Sequence, residues 1–154
     1  MAQDMIGLAD ALDKWTKQLE SVSTKLNFVD RQSITQAEAR VFKDHLEDEA
    51  RKKHYSGYKR KKKPHMSDDI ATAPGTSTIG EKVGAGYGTV VGFRHNWDAL
   101  NALRTNNGTR FIPGDHWVEN VRNNPEVMAE MVASGSQELK RIINSKEKQE
   151  EGDG

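Results

Sequence analysis

The sequence predicts an α+β fold with two N-terminal helices, a small antiparallel sheet of about three to four strands, and a C-terminal helix. Three observations predict it. Apolar side chains recur at helical spacing from Met5 to Ala50. Glycine and β-branched residues replace the leucines between His65 and Phe93. Helical spacing then returns from about Pro125.

The first helix rests on Met5, Leu8, Leu12, Trp15, Leu19, Val22 and Leu26, whose steps alternate three and four and form one stripe. Such a stripe packs either on the domain's own core or as a seam against a neighbouring subunit, so Leu8, Leu12, Trp15, Leu19 and Val22 are a candidate inter-subunit contact. Thr35-Gln36-Ala37-Glu38 fits a capping box and places the start of the second helix, whose apolar face is Ala39, Phe42, Leu46 and Ala50. That helix is expected to fray near His54–Gly57. The Lys59–Lys63 run and Pro64 then mark residues 51–64 as an exposed basic loop.

Ile70–Ala73, Thr76–Val83 and Thr89–Phe93 read as short strands joined by glycine-rich turns. Trp97–Leu103 has helical propensity in a short segment, and Asn106-Asn107-Gly108 reads as a turn because Asn and Gly tolerate a left-handed backbone. Asp115 occupies an N-cap position before His116-Trp117-Val118. Asn124-Pro125 is a second cap followed by proline at the first helical position. The last helix is expected from about Pro125 to about Ser145, with Val127, Met131, Leu139, Ile142 and Ile143 inward and Gly135 weakening its middle. Residues 1–146 then form one domain, and 147–154 a disordered acidic tail.

Length and composition bound the function. The 154 residues allow about one domain. The chain is 34% apolar and 30% charged, with a mean hydropathy of -0.83, enough for one modest core. No apolar run approaches a membrane span, and the aspartates and lysines among the first twenty residues leave no signal-peptide core. Cysteine is absent, which excludes thiol nucleophiles, zinc-thiolate sites and disulfides. Lys+Arg and Asp+Glu both total 23, yet the charges are segregated along the chain. Arg51, Lys52, Lys53, Lys59, Arg60, Lys61, Lys62 and Lys63 crowd one stretch, while Glu147, Glu150, Glu151 and Asp153 gather at the end.

Catalytic and cofactor motifs find little support. The five histidines lack metal-ligand spacing, and no Gly-x-Ser-x-Gly elbow occurs. Gly84-Ala85-Gly86-Tyr87-Gly88 resembles a phosphate cradle but leads into a strand rather than a helix, so it reads as a hairpin turn. Asp68 and Asp69 are adjacent and make no obvious carboxylate pair. No catalytic, cofactor-binding or metal-ligating residue is expected. The basic stretch, interleaved with Tyr55 and Tyr58, fits non-sequence-specific nucleic-acid binding, a solvated loop, or a plug for an acidic partner.

The order of motifs carries a resemblance. His65-Met66-Ser67-Asp68-Asp69-Ile70 opens the sheet, and Thr89-Val90-Val91-Gly92-Phe93 follows. Ala99-Leu100-Asn101-Ala102-Leu103 then runs into Asn106-Asn107-Gly108-Thr109, and Ile112-Pro113-Gly114-Asp115-His116-Trp117-Val118 leads to the last helix. This is similar to the neck proteins of long-tailed double-stranded-DNA bacteriophages, variously called head–tail connector, tail-completion or minor tail component proteins. The likeness spans roughly residues 65–143, with Met66 where leucine is usual and Trp117 where phenylalanine is commoner.

The resemblance implies an α+β virion subunit without enzymatic activity or cofactor. It implies one copy in a homo-oligomeric ring between the connector or head-closure proteins and the tail-terminator or tail-tube proteins, with viral DNA passing through the centre. It also implies that Trp117 and the Asn106–Pro113 segment anchor the last helix on the sheet. The alternative is a small nucleic-acid-binding module acting through Arg51–Lys63.

Overall fold

The computed structural model describes residues 24–55, 64–74 and 88–153, together with Asp13, Lys17, Glu20 and Val22. Among these the chain is mixed helix and sheet, mostly helical: α1 (Phe28–His54), a 3-10 turn (Met66–Asp68), β1 (Ile70–Pro74), β2 (Thr89–Phe93), α2 (Asn96–Asn107), α3 (Trp117–Arg122) and α4 (Pro125–Gly152).

The described positions from Asp13 to Lys25 are helical, and Leu26-Asn27 interrupts the helix. Asn27 then caps α1. Its Oδ1 accepts from the Asp30 amide at 2.9 Å, and Asp30 Oδ2 accepts from the Asn27 amide at 3.0 Å. This box corrects the expected start at Thr35. A Thr-x-x-Glu pattern also occurs inside helices. Here Thr35 Oγ1 donates to the Gln32 carbonyl at 3.0 Å and lies 3.0 Å from Thr89 Oγ1, tying α1 to β2 instead. At the other end Arg51, Lys52, Lys53 and His54 complement the helix dipole. Arg51–His54 are therefore helical, not the start of a loop.

β1 and β2 pair antiparallel, from Ile70 opposite Phe93 to Pro74 opposite Thr89. This two-stranded sheet is smaller than the three to four strands expected; Thr76–Val83, the other candidate strand, lies outside the described residues. α2 is longer than the expected helix, running from Asn96 to Asn107. It stops at Gly108, whose φ of 85° needs a residue without Cβ.

The expected cap at Asn124-Pro125 is present, with Asn124 Oδ1 accepting from the Glu126 amide at 2.9 Å. α4 does not stop near Ser145 but continues to Gly152, which corrects the expected disordered tail. Lys, Glu and Gln make that tail wet, but they are also strong helix formers. Lys146 Nζ ties the last turns to α1, donating to Asp30 Oδ2 at 2.5 Å and to the Lys25 carbonyl at 2.6 Å.

α1 and α4 lie antiparallel, clasped by Lys146 with Asp30, Ser33 Oγ donating to Glu138 Oε1 at 2.6 Å, and Ser134 Oγ donating to the Ala37 carbonyl at 3.2 Å. Gly135 lets the helices approach closely: a Cβ there would fall against the Glu38 side chain, 2.9 Å from its Cγ. The core gathers at the other end of the pair, where Leu46 and Ala50 of α1 meet Met66, Ile70, Ala102, Trp117, Val121 and Val127. Val91 and Phe93 close it from β2.

Candidate interaction surfaces

Trp117 is the most enclosed large residue, with no exposed surface. Its indole Nε1 donates to Thr105 Oγ1 at 3.0 Å, and the His54 ring lies 5.7 Å away, tilted by 54°. The N-cap of α3 is His116 rather than the expected Asp115, which sits one position earlier and accepts from the Trp117 amide through Oδ1 at 3.3 Å. Asn106, itself buried, accepts from the Val118 amide at 3.0 Å. A bridge between Gly108 and Pro113 closes the connecting loop. Trp117 and the Asn106–Pro113 segment thus fasten α3 to α2 and to the end of α1. They reach the sheet and α4 only through the shared core, in which Ile70 and Val127 join Trp117.

The candidate basic residues divide. Arg51, Lys52 and Lys53 are exposed on the last turn of α1. Arg51 pairs with Asp68 at 2.9 Å, which raises the Arg51 pKa, and Lys53 pairs with Glu49 at 2.9 Å, which raises its own. Lys59, Arg60, Lys61, Lys62 and Lys63 lie outside the described residues. So do Leu8, Leu12, Trp15 and Leu19 of the apolar stripe. Val22 is described and half-buried, lining a cavity with Leu26, Ile143, Lys146 and Glu147. The stripe's C-terminal end therefore packs on α4.

Two arrangements were not anticipated from the sequence. The first joins Asp69, His95 and Asp98, whose potential ligand atoms all lie within 4.8 Å of one another. Asp69 and Asp98 are each 1% exposed. Asp69 Oδ2 accepts from the His95 amide at 2.8 Å, and Oδ1 lies 2.6 Å from His95 Nδ1. Both carboxylate oxygens are thereby spent on the residue that caps α2, and the geometry is that of a clamp between the start of β1 and the start of α2. Adjacent Asp68 turns the other way, to Arg51.

The second is a group of outward apolar side chains on α2 and in the loop after it. Trp97, Leu100 and Leu103 of α2 are 50%, 46% and 55% exposed, and Phe111 and Ile112 in the following loop are 87% and 51% exposed. Arg104 lies over the Trp97 ring at 5.9 Å and Arg110 over Phe111 at 5.7 Å. The signal was present in the sequence as helical spacing of Trp97, Leu100 and Leu103. Periodicity marks an apolar face but not whether anything covers it.

Charge elsewhere is organised along the α1–α4 clasp. Arg141 and Ser33 together hold the Glu138 carboxyl down at about 2, and Lys146 lowers that of Asp30. Burial raises Glu38, which faces Gly135. Among the described residues no helix is long and apolar enough to cross a membrane. No protein-family model, no curated protein and no solved structure matches the chain.

Proposed function

We propose that this chain is a structural virion protein of a long-tailed double-stranded-DNA bacteriophage. It forms a ring in the neck that joins the DNA-filled head to the tail, and works by oligomerisation and docking rather than by catalysis. The observation that carries the reading is the exposed face of Trp97, Leu100, Leu103, Phe111 and Ile112. Large apolar side chains left exposed within one short stretch of a small subunit mark a contact for another protein. The motif order from His65 to Val118 suggests the kind of assembly, and within it Asn106 to Val118 holds the subunit together.

Arg51 and Lys53 bear on the competing nucleic-acid reading. Both are engaged with acids of the same chain, which offsets part of the positive charge they present to a phosphate. In the neck the remaining basic stretch faces the DNA channel or an acidic neighbour. A stop codon at Gln36 in the encoding genome tests the proposal by electron microscopy of lysates. Filled heads and free tails that fail to join are expected. Normal infectious particles contradict it. Tight DNA binding by the purified monomer at physiological salt, lost when Lys59–Lys63 are replaced, favours the nucleic-acid reading instead.

A further inference from the structure

The α2 face has a charge as well as an apolar character. From Arg94 to Gly114 the exposed ionic side chains include Arg94, Arg104 and Arg110, while the one carboxylate, Asp98, is buried. An apolar surface rimmed by guanidinium groups fits an amphipathic segment with acidic flanks. This chain carries such a segment. Residues 1–13 hold Asp4, Asp10 and Asp13 with no Lys or Arg, and Met5, Leu8 and Leu12 of the apolar stripe run through them. Asp13 pairs with Lys17 at 3.0 Å, which leaves Asp4 and Asp10 as the acidic flank.

Taken as the helix its stripe predicts, that segment reaches another copy rather than its own α2. Val22 and Leu26 lie beside Ile143 and Glu147, at the α4 C-terminal end of the helix pair. α2 lies at the opposite end, where Asn101, Arg104 and Ile112 share a cavity with His54 at the end of α1. The 27 residues of α1 separate the two ends by about 40 Å at helical rise, whereas the helix that the stripe predicts spans only about 21 Å from Val22 back to Leu8. We propose that the acidic, apolar N-terminal segment of one copy docks on the α2 face of its neighbour. This head-to-tail contact is of the kind that closes a ring, and to that extent the proposal rests on the ring reading above.

Sedimentation velocity on the full chain tests it. One variant combines Leu103→Asp with Arg104→Glu and Arg110→Glu; the other combines Leu8→Asp with Leu12→Asp. All these α2-side positions are exposed, and unchanged circular dichroism verifies the fold. Each variant alone is expected to weaken self-association by at least about 10-fold. Mixing the two restores one intact contact per pair and stops at heterodimers. Exchanging charges, Asp4→Arg and Asp10→Arg with Arg104→Asp and Arg110→Asp, is expected to recover assembly. A wild-type chain that stays monomeric, variants that assemble like wild type, or a mixture without heterodimers overturns the proposal. Variants that assemble like wild type remove this contact but leave the ring reading standing; that reading falls instead if virions lack the chain.

Discussion

Glu138 accepts from Ser33 and is held by Arg141, so its carboxylate is strongly favoured in the folded chain. A carboxyl whose folded pKa is depressed adds stability above its unfolded value, near 4.5, and loses it as pH falls toward about 2. Asp30 acts in the same direction through Lys146. Thermal melts from neutral pH to pH 2 are therefore expected to fall steeply in wild type and less steeply in Glu138→Gln.

Glu38 works with the opposite sign. Burial raises its folded pKa, so its ionised form costs stability that returns as it protonates. Glu38→Gln is expected to raise the melting temperature at neutral pH and leave it little changed in acid. Ser67 offers a third test. Its hydroxyl is buried without a hydrogen-bond partner among the described residues, so Ser67→Ala in denaturant titration is expected to be neutral or stabilising by up to about 1 kcal/mol.

At the scale of elements, the parts legible in the sequence were those set by neighbouring residues. The Thr89–Phe93 strand and the Asn124-Pro125 cap each depend on local backbone chemistry, and each was found where expected; of the expected Asn106-Asn107-Gly108 turn only Gly108 leaves the helix, Asn106 and Asn107 being its last residues. Gly108 has a φ of 85°, and a Cβ there would meet the Gly114 amide nitrogen at 2.6 Å. Gly108→Ala is therefore expected to cost at least about 1–3 kcal/mol, measured by chemical denaturation, by loosening the loop that delivers Trp117.

The rest needed the folded chain. Gly135 reads as a weak point along one helix, but its use is the approach of α1 and Glu38. Thr35 and Glu38 mimic a cap, while Asn27 and Asp30 form it. The 26 residues between Asp69 and His95 hide their pairing from any local pattern. The composition of residues 146–152 reports wetness and not conformation, so the Lys146 tether was invisible.

On the scale of the whole molecule, the last turn of α1 is basic and that of α4 is acidic. Arg51, Lys52 and Lys53 end α1 at one pole, while Glu147, Glu150 and Glu151 end α4 at the other. Between them the core is small and the α2 face stays open. A subunit arranged this way gains most by being surrounded. The described carboxylate–histidine cluster, by contrast, is consumed in holding β1 to α2. Imaging of purified virions made from the encoding genome, with this chain labelled at Lys148 on the exposed face of α4, tests the account most directly. A ring of label at the head–tail junction is expected; particles that are complete and infectious yet carry none of this polypeptide contradict the proposed neck role.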